Sequence, residues 1–396
     1  ALCCCPFSMR LQLCWLSLLC LFLALQNGAE AFKFLGYMPM LGHSHLNFLT
    51  RISETLVDAG HEVGKGQKVL YDALLIMIYT LPVILAPSVR LRHGHPRDHV
   101  KDKRIRIIEI EQCAAAREVE AEQQKESSFA INIWLSQGFL SFSKTFGNMR
   151  IAFAAQCNKT VGQPGLIDSL RAEKFDVGFT ELFELCGFGI FHAAGVKSIA
   201  ITQSIAQILT SFELTGAPSA PSYVPGITSW YGERMSFLQR VGNVVQILIT
   251  YFFAFTFVGP YDAVFQFHYP GMATMPDILA ETSLVFINSE PLIDFPRPTT
   301  HKIVEIGGIT VSGEHKPLNQ TWDAIMSARP QTALVSFGSV ALSHRMPSEY
   351  KETIRNTFRK FPNVTFIWKY EKPEDDIARG IDNIVPVTWT PQKDIL

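Results

Sequence analysis

The sequence predicts an α/β protein whose parallel sheets form two halves. First, 396 residues are enough for two domains of ordinary size, whereas one domain of that length would be unusually large. Second, short apolar runs alternate with segments whose apolar residues recur at helical spacing, which is the pattern of βα units. Third, the alternation starts again near Ser283, after a long apolar stretch. We therefore expect an N-terminal domain over 32–282 and a second domain over 283–396.

Composition limits the classes of partner. Apolar residues make up 47% of the chain and charged residues 18%, and 35 basic side chains are balanced by 36 acidic ones. Such a balance provides no positive field that would attract a polyanion. We therefore expect no nucleic-acid partner.

Residues 1–31 have the features of a signal peptide. Arg10 begins a short basic region, Leu11 to Leu25 is an apolar run, and Ala29-Glu30-Ala31 has the small-x-small form of a signal-peptidase site. The apolar run is shorter than the ~20 residues of a spanning helix, so a cleaved segment is favoured over an uncleaved anchor. We expect Phe32 to begin the mature chain and the protein to enter the lumen of the endoplasmic reticulum.

Cysteine usage argues against a disulfide framework. Five of the eight cysteines precede the predicted cleavage site, which leaves Cys113, Cys157 and Cys186 in the mature chain. An odd count permits at most one bridge and a leftover thiol, and three small core residues are the favoured interpretation. Three sequons agree with secretory entry, and they predict glycosylation at Asn158, Asn319 and Asn363.

The first βα unit follows Phe32. Phe34 to Tyr37 is a short apolar run, 39–44 is a loop, and a helix runs from Leu46 until Ala59-Gly60 ends it. Ligands of open parallel sheets bind beyond the carboxyl ends of the strands. Polar side chains in this first loop are therefore candidates for a functional site.

Residues 64–79 interrupt the alternation. A Gly- and Lys-rich stretch precedes a Leu/Ile/Met run that fits no neighbouring periodicity, and without it Leu81 to Ile84 would follow as the next strand. We interpret 64–79 as a retained intron or a mispredicted exon edge, with a genuine surface insertion as the alternative. The charged stretch from Arg90 to Arg106 holds three histidines, but no cysteine or paired carboxylate completes a ligand set. We expect a solvated loop there rather than a metal site.

The later part of the first half continues the α/β pattern. It predicts a polar helix over Glu109 to Lys125, a buried strand from Phe175 that ends at Glu181, and a strand from Ser198 to Ile201. Leu238 to Val258 is the most apolar internal stretch, but four polar residues interrupt it. A helix that packs on the domain or lies in the membrane interface is favoured over one that crosses the membrane.

The second half repeats this rhythm. We expect its helices around Trp322 to Ala328 and from Ser348 to Phe361. We expect its strands at Ser283 to Ser289, just before Gly307, and at Thr332 to Phe337, Thr365 to Lys369 and Ile384 to Val387.

His45, in the first βα loop, is the leading catalytic candidate. An imidazole accepts a hydroxyl proton near pH 7, so a histidine beyond a strand end suits general-base catalysis. An exposed loop histidine is the ordinary alternative, and His43 competes for the role. Glu181 directly follows a buried strand, where a carboxylate can stabilise a protonated histidine. A solvated strand-end carboxylate is the alternative there, and Glu184 competes with Glu181.

A short Gly/Ser turn, Ser336-Phe337-Gly338-Ser339, follows a strand of the second half. Glycine lets the backbone approach a diphosphate, and hydroxyl and amide groups beside a helix N-terminus bind its oxygens. Such a turn is a weak signal by itself. Trp389 offers a flat face for a uracil ring, although a core tryptophan is the default interpretation.

Several longer stretches resemble the UDP-glycosyltransferases, the group that includes the UDP-glucuronosyltransferases, and in particular their nematode type. The resemblance covers nearly all of the chain from Phe32 to Leu396 except 64–79. The stretches that carry it are Leu284 to Pro298, Glu305 to Gly308, Val335 to Ser339, Phe361 to Tyr370 and Trp389 to Gln392, in that order.

This resemblance implies two Rossmann-like domains of the GT-B type that face each other across a cleft. The N-terminal domain would bind a lipophilic acceptor and the C-terminal domain a UDP-sugar. His45 matches the family's catalytic base, and Glu181 occupies the place of an aspartate in many members, so the charge is kept while the extra methylene shifts the carboxylate. The residues that would contact the UDP-sugar are Ser336, Gly338, Ser339, Trp389 and Gln392.

The family pattern continues past the position of Gln392 with a His-Gly-Gly-x-Asn-Ser-like loop, an Asp-Gln pair and a single spanning helix. This sequence contains none of the three. The resemblance therefore implies an incomplete second domain. The chain would be either a fragment of an enzyme or a product that lacks most of its donor site.

The function implied is transfer of glucuronic acid or glucose from UDP-glucuronic acid or UDP-glucose to a small lipophilic acceptor, with inversion. No metal or redox cofactor is implied, and association with the membrane is expected, with a homo-oligomer left open. The alternative is a catalytically inactive, truncated family member that binds a lipophile or a partner protein. A hydrolase is disfavoured, because no Gly-x-Ser-x-Gly accompanies His45.

Overall fold

The computed structural model describes residues 32–39, 43–59, 75–80, 105–123, 134, 139–205, 214–226, 229, 231–311, 317–338 and 341–396. They form two parallel β-sheets with helices between the strands, so the predicted α/β class is confirmed. The signal peptide, the three-histidine loop and the position of Ser339 lie outside these residues.

The first sheet has seven parallel strands in the order β3-β2-β1-β4-β5-β6-β7. They are β1 (Phe34–Pro39), β2 (Leu75–Thr80), β3 (Ile105–Ile110), β4 (Val177–Glu181), β5 (Ser198–Gln203), β6 (Leu284–Ile287) and β7 (Ile303–Glu305). The strand order reverses between β1 and β4, as in doubly wound Rossmann folds. Ligands of such sheets bind outside the carboxyl ends of the strands at this reversal, which is where β1 and β4 end.

Helices cover both faces of this sheet. On one face, α1 (His43–Ala59) packs Leu49 and Ile52 against Phe179 and Ala200. The residues that alternate with these along the strands form a second cluster on the other face. The helices of that cluster are α3 (Phe139–Val161), α4 (Leu166–Glu173), α5 (Cys186–Ala193), α6 (Phe237–His268) and α7 (Met275–Ala280), and α2 (Ala114–Gln123) contributes Ala116.

The last residues of the stretch 64–79 belong to β2, which lies between β3 and β1 and pairs Ile76 with both Leu35 and Arg106. The interpretation of 64–79 as an insertion stays a prediction. Strands inside a parallel sheet read as continuous apolar runs, because helices cover both faces of the sheet. The run therefore shows no periodicity for a structural reason. Residues 64–74 and the alternative strand at Leu81 to Ile84 are outside the described residues.

The second sheet begins later than the predicted boundary at 282/283. β6 pairs Val285 with Ile201 of β5, and β7 pairs with β6, so both strands extend the first sheet. Alternation along a sequence does not reveal which sheet a strand joins, and here α6 and α7 return the chain to the edge of the first one. The second sheet has the order β10-β9-β8. Its elements are α8 (Gln320–Met326), β8 (Gln331–Val335), α9 (Ser348–Arg359), β9 (Val364–Lys369), β10 (Ile384–Val387) and α10 (Gln392–Ile395).

The predicted apolar helix is α6, which has 32 residues and an internal Pro260. One side packs on the domain: Asn243 is buried, accepts the Gly226 N–H and donates to the carbonyl oxygen of Val224. Among the described helices, α6 is the one long and apolar enough to cross a membrane by length and composition, and 11% of its most apolar window is buried. The predicted packing is therefore observed for part of the helix, and an interfacial position stays a prediction.

The expectation of three separate core cysteines is wrong for two of them. Cys157 of α3 and Cys186 of α5 form a disulfide, with 5.5 Å between their Cα atoms, and Cys113 is free. The two helices pack on the same face of the sheet, which brings together residues 29 positions apart. Three cysteines allow at most one disulfide and one free thiol, which is the arrangement observed.

Candidate active site

His45 lies in the first turn of α1, just beyond the carboxyl end of β1. Leu46 and Leu49 of the same helix are buried against the sheet, which fixes this first turn over the neighbouring strand. The His45 side chain is 17% exposed. His43 begins the helix, and nothing about its side chain is described.

Glu181 ends β4 and contacts His45 directly. Strand residues alternate between faces, so Glu181 points to the same face as Phe179, which packs against α1. His45 Nδ1 lies 2.6 Å from Glu181 Oε2, and the Ser204 backbone N–H donates to Glu181 Oε1 at 2.8 Å. The Glu181 side chain is 3% exposed. Each carboxylate oxygen therefore has a partner, and the pair with histidine has the short distance of a charge-assisted hydrogen bond.

This contact determines what the histidine can do. A carboxylate beside Nδ1 favours the tautomer that carries its proton there, which leaves the lone pair of Nε2 available. No group among the described residues forms a hydrogen bond with Nε2. The pair can therefore accept a proton at Nε2 and stabilise the resulting imidazolium through Glu181, as in other base-and-carboxylate pairs.

Glu184, the competing carboxyl group, has a different environment. It is buried, and its Oε1 accepts the N–H of Cys186 at 3.0 Å. Burial raises the pKa of Glu184 to about 8, although the Cys186 amide and the Tyr261 and Tyr37 hydroxyls act in the opposite direction. Glu184 Oε2 has no hydrogen bond of ordinary geometry within the described part of the chain. Glu184 is thus mostly neutral near pH 7, unlike a carboxylate that stabilises a cation.

A disulfide anchors the segment that carries both glutamates. The ligand atoms of Cys157, Glu184 and Cys186 all lie within 4.8 Å of one another, which is close enough for metal binding. Because the two sulfurs are joined to each other, they are not thiolate ligands. The bridge instead attaches the end of segment 181–186 to α3, on the face opposite His45.

The predicted donor residues gather at the carboxyl edge of the second sheet. Ser336 follows β8, Lys369 ends β9 and Trp389 follows β10. Gly338, with a φ of 80°, donates its N–H to Ser336 Oγ at 3.3 Å, and its carbonyl accepts from Lys369 Nζ at 2.8 Å. Lys369 Nζ also lies 6.0 Å from the centre of the Trp389 ring. Ser336, Gly338 and Trp389 therefore meet around Lys369.

Gln392 is not connected to this group. It begins α10 and is exposed, and its side chain makes no hydrogen bond to Ser336, Gly338 or Trp389 among the described residues. Ser339 is outside the described part of the chain.

The three sequon asparagines are all exposed. Asn158 lies within α3, and its Oδ1 accepts a hydrogen bond from His268 Nε2 at 2.8 Å. Asn319 caps α8 by accepting the N–H of Trp322, and Asn363 precedes β9. Glycosylation at these positions stays a prediction.

Comparisons with known proteins give the family. The family model described as UDP-glucoronosyl and UDP-glucosyl transferase matches residues 83–396, which is most of the chain. The chain belongs to this family. Putative UDP-glucuronosyltransferase ugt-48 of Caenorhabditis elegans is 26% identical over 95% of this chain and 68% of its own length. Human UDP-glucuronosyltransferase 1A3 is also 26% identical, over 63% of this chain and 46% of its own length.

Solved structures show weaker likenesses to this UDP-glycosyltransferase. The crystal structure of LpCGTa in complex with UDP has a TM-score of 0.46 and 13% identity, covering 91% of this chain and 72% of that one. Spinosyn forosaminyltransferase SpnP has a TM-score of 0.47 and 11% identity, covering 92% and 72%.

Sequence reasoning missed three residues of this UDP-glycosyltransferase. Ser204 contacts both members of the His45–Glu181 pair, and Lys369 and Glu371 form a buried ion pair at 2.9 Å, with side chains 8% and 7% exposed. Burial opposes ionisation of Glu371, but hydrogen bonds from His344 and Lys369 and the Lys369 charge outweigh it and lower its pKa. Ser204 directly follows β5 and Lys369 ends β9. A polar residue at the end of a buried strand, the signal that identified Glu181, could have found both.

Proposed function

We propose that this UDP-glycosyltransferase transfers glucuronic acid or glucose from a UDP-sugar to a small lipophilic alcohol, phenol or acid, with inversion at the anomeric carbon. The observation that carries the proposal is the 2.6 Å contact between His45 Nδ1 and Glu181 Oε2 at the carboxyl edge of the first sheet. Family membership supports the UDP-sugar, and the names of the relatives support glucuronic acid.

The proposed step balances in protons and electrons without a redox or metal cofactor. The acceptor oxygen attacks the anomeric carbon while His45 Nε2 takes its proton, and Glu181 stabilises the imidazolium. The bond from the anomeric carbon to the diphosphate oxygen breaks, and UDP leaves with the electron pair. Attack opposite the leaving group inverts the configuration.

The donor would lie at the edge of the second sheet. Trp389 is 40% exposed, and its ring would pack against a uracil ring. The Ser336 hydroxyl and the backbone of Gly338 and Ser339 would meet the diphosphate. Gln392 would be a further contact of the UDP-sugar.

The location proposed is the lumen of the endoplasmic reticulum, with the protein associated with the membrane. The Cys157–Cys186 disulfide is typical of oxidising compartments. The N-terminal part of α6 carries no charged residue from Val241 to Tyr261. It exposes Val245, Leu248, Phe252 and Phe255, which is an apolar surface suited to the membrane interface.

A transfer assay tests the proposal. The purified full-length protein is incubated with radiolabelled UDP-glucuronic acid or UDP-glucose and a set of phenols and alcohols, and the linkage of the product is determined by NMR. We expect a β-linked product from the α-linked donor. An α-linked product would rule out the single inverting step. Acceptor binding with no transfer from either donor would instead favour the rival function, a lipophile-binding family member without catalysis.

A further inference from the structure

Ser204 lies at the point where the end of β5 meets the His45–Glu181 pair. Ala200 of β5 packs against α1. Successive strand residues alternate between the two faces of a sheet, so Thr202 lies on the same face as Ala200. Ser204 is two residues further on, just after β5 ends, and lies on that face too. Glu181 is in register with Thr202, which places Ser204 just beyond the end of β4. Ser204 is buried and contacts both catalytic candidates: its N–H donates to Glu181 Oε1 at 2.8 Å, and its Oγ lies 2.8 Å from His45 Nδ1.

The protonation of Nδ1 determines which atom donates in the contact between Ser204 Oγ and His45 Nδ1. Nδ1 of a neutral imidazole carries either a proton or a lone pair. A lone pair there would face the carboxylate of Glu181 at 2.6 Å, which is repulsive. A proton there can instead be shared between Glu181 Oε2 and Ser204 Oγ, because both oxygens lie within hydrogen-bond distance.

Asn288 holds Ser204 from the other side. Its Nδ2 donates to the Ser204 carbonyl at 2.9 Å, and its backbone N–H donates to the Gln203 carbonyl at 2.9 Å. Its Oδ1 accepts the N–H of Gly308 at 3.3 Å. One side chain therefore connects the ends of β5 and β6 to the turn after β7, and the position of Ser204 is fixed by three strands.

We infer that Ser204, held by Asn288, is a positioning residue of the catalytic pair: its N–H orients Glu181, and its Oγ accepts a share of the His45 Nδ1 proton so that Nε2 stays free. The inference rests on the proposed role of His45 as the base. Among the described residues, the polar side chains that contact His45 are Glu181 and Ser204. The Phe183 ring meets the His45 ring edge-on, with 5.9 Å between the two ring centroids. Glu181 is the only charged group among them.

Histidine NMR on the whole chain tests this without requiring turnover. The protein is labelled with ¹⁵N-histidine, the His45 signals are assigned by their loss in His45→Ala, and long-range ¹H–¹⁵N correlations identify the protonated nitrogen. We expect Nδ1–H in the neutral ring of the parent protein. Ser204→Ala should speed exchange of the Nδ1 proton with water by about 3- to 10-fold, since one of the two hydrogen bonds that hold this proton is lost. Ser204→Thr, which keeps the hydroxyl, should restore the parent exchange rate.

Thr202→Val is the matched control. Thr202 is buried on the same strand and face, and its hydroxyl makes no hydrogen bond within the described residues, so its loss should leave the exchange rate of the His45 Nδ1 proton unchanged. If Ser204→Ala does not fold, Ser204→Cys supplies the comparison, because sulfur is a weak acceptor of nearly the same size.

Two results would overturn the inference: Nε2–H in the parent ring, or an equal exchange rate of the Nδ1 proton in Ser204→Ala and Thr202→Val. Nε2–H in the parent ring would mean that the Ser204 hydroxyl donates to Nδ1. Because these signals do not depend on transfer, a chain with the expected NMR result and no activity refutes the proposed function and keeps the positioning role of Ser204.

Discussion

The two sheets present their functional candidates in opposite ways. At the edge of the first sheet, His45 and Glu181 bond each other directly and are largely shielded from solvent. At the edge of the second sheet, Gly338 and Trp389 are exposed, and the buried elements are the ion-paired side chains of Lys369 and Glu371 behind them.

This difference follows from what each edge would do. Proton transfer depends on distances that must be fixed before the reaction, and the sheet holds the proposed base and its carboxylate at such a distance. A nucleotide must enter and leave, so the surfaces that would contact it are open and only their support is buried. Changes at the first edge should therefore affect turnover or stability, and changes at the second should affect ligand binding.

The largest effect is expected for His45→Ala. Removing a general base lowers turnover by roughly 100-fold or more, while UDP-sugar binding should persist because the donor candidates lie on the other sheet. Turnover and UDP binding are measured side by side, with the exposed His301→Ala as control. Near-normal turnover in His45→Ala together with an inactive His43→Ala would assign the role of the base to His43 instead.

The disulfide should make the next largest contribution, to stability in the first half. Cys157→Ala with Cys186→Ala should lower the free energy of unfolding by about 2–4 kcal/mol, since the unfolded chain loses a cross-link. Urea unfolding under non-reducing conditions measures it. Cys113→Ala, which removes the free thiol, is the control, and an equal midpoint for the double variant and this control would contradict the expectation.

Charge on Glu181 should matter more than its length. Glu181→Gln should reduce kcat by about 10- to 100-fold, because a charge-assisted hydrogen bond is worth about 1.5–3 kcal/mol and an amide can also donate to Nδ1. Glu181→Asp keeps the charge and should lose less. Equal activity of Glu181→Gln and the parent enzyme would remove Glu181 from the mechanism.

Glu184 should make stability depend on pH. Its folded pKa of about 8 lies above the ordinary value of 4.5, so the folded state binds the proton more tightly. Its contribution is complete below the ordinary value and is lost as the pH rises through the folded one. Between pH 6 and 7 the parent should lose on the order of 1 kcal/mol that Glu184→Gln does not lose. Denaturant curves at the two pH values check this, and parallel changes in both proteins would contradict it.

The smallest effect is expected at the second edge. Trp389→Ala should weaken UDP binding about 10-fold, because stacking on a base is worth about 1–3 kcal/mol. Trp389→Phe, which keeps a flat ring, should lose less. Calorimetric titration with UDP measures both variants, with turnover at saturating donor as the second readout. An unchanged affinity for UDP in Trp389→Ala would show that the nucleotide does not bind against this ring.

The sequence alone identified the residues of the first edge, although not their geometry. His45 and Glu181 stood out because polar residues directly follow apolar strands, and the strand order confirms that β1 and β4 are neighbours. Ser204 was missed because the predicted strand ended at Ile201, whereas β5 continues to Gln203. Its role depends on a backbone amide and a hydroxyl, which no sequence pattern marks.

The sequence by itself determined the α/β class, most strands and helices, and the family resemblance, because these depend on local periodicity and short motifs. The tertiary structure decided the rest: that 75–80 is an inner strand, that β6 and β7 join the first sheet, and that Cys157 meets Cys186. Each of these is a pairing between residues distant in sequence. Such pairings depend on how the helices return the chain to the sheet, and local periodicity carries no information about that.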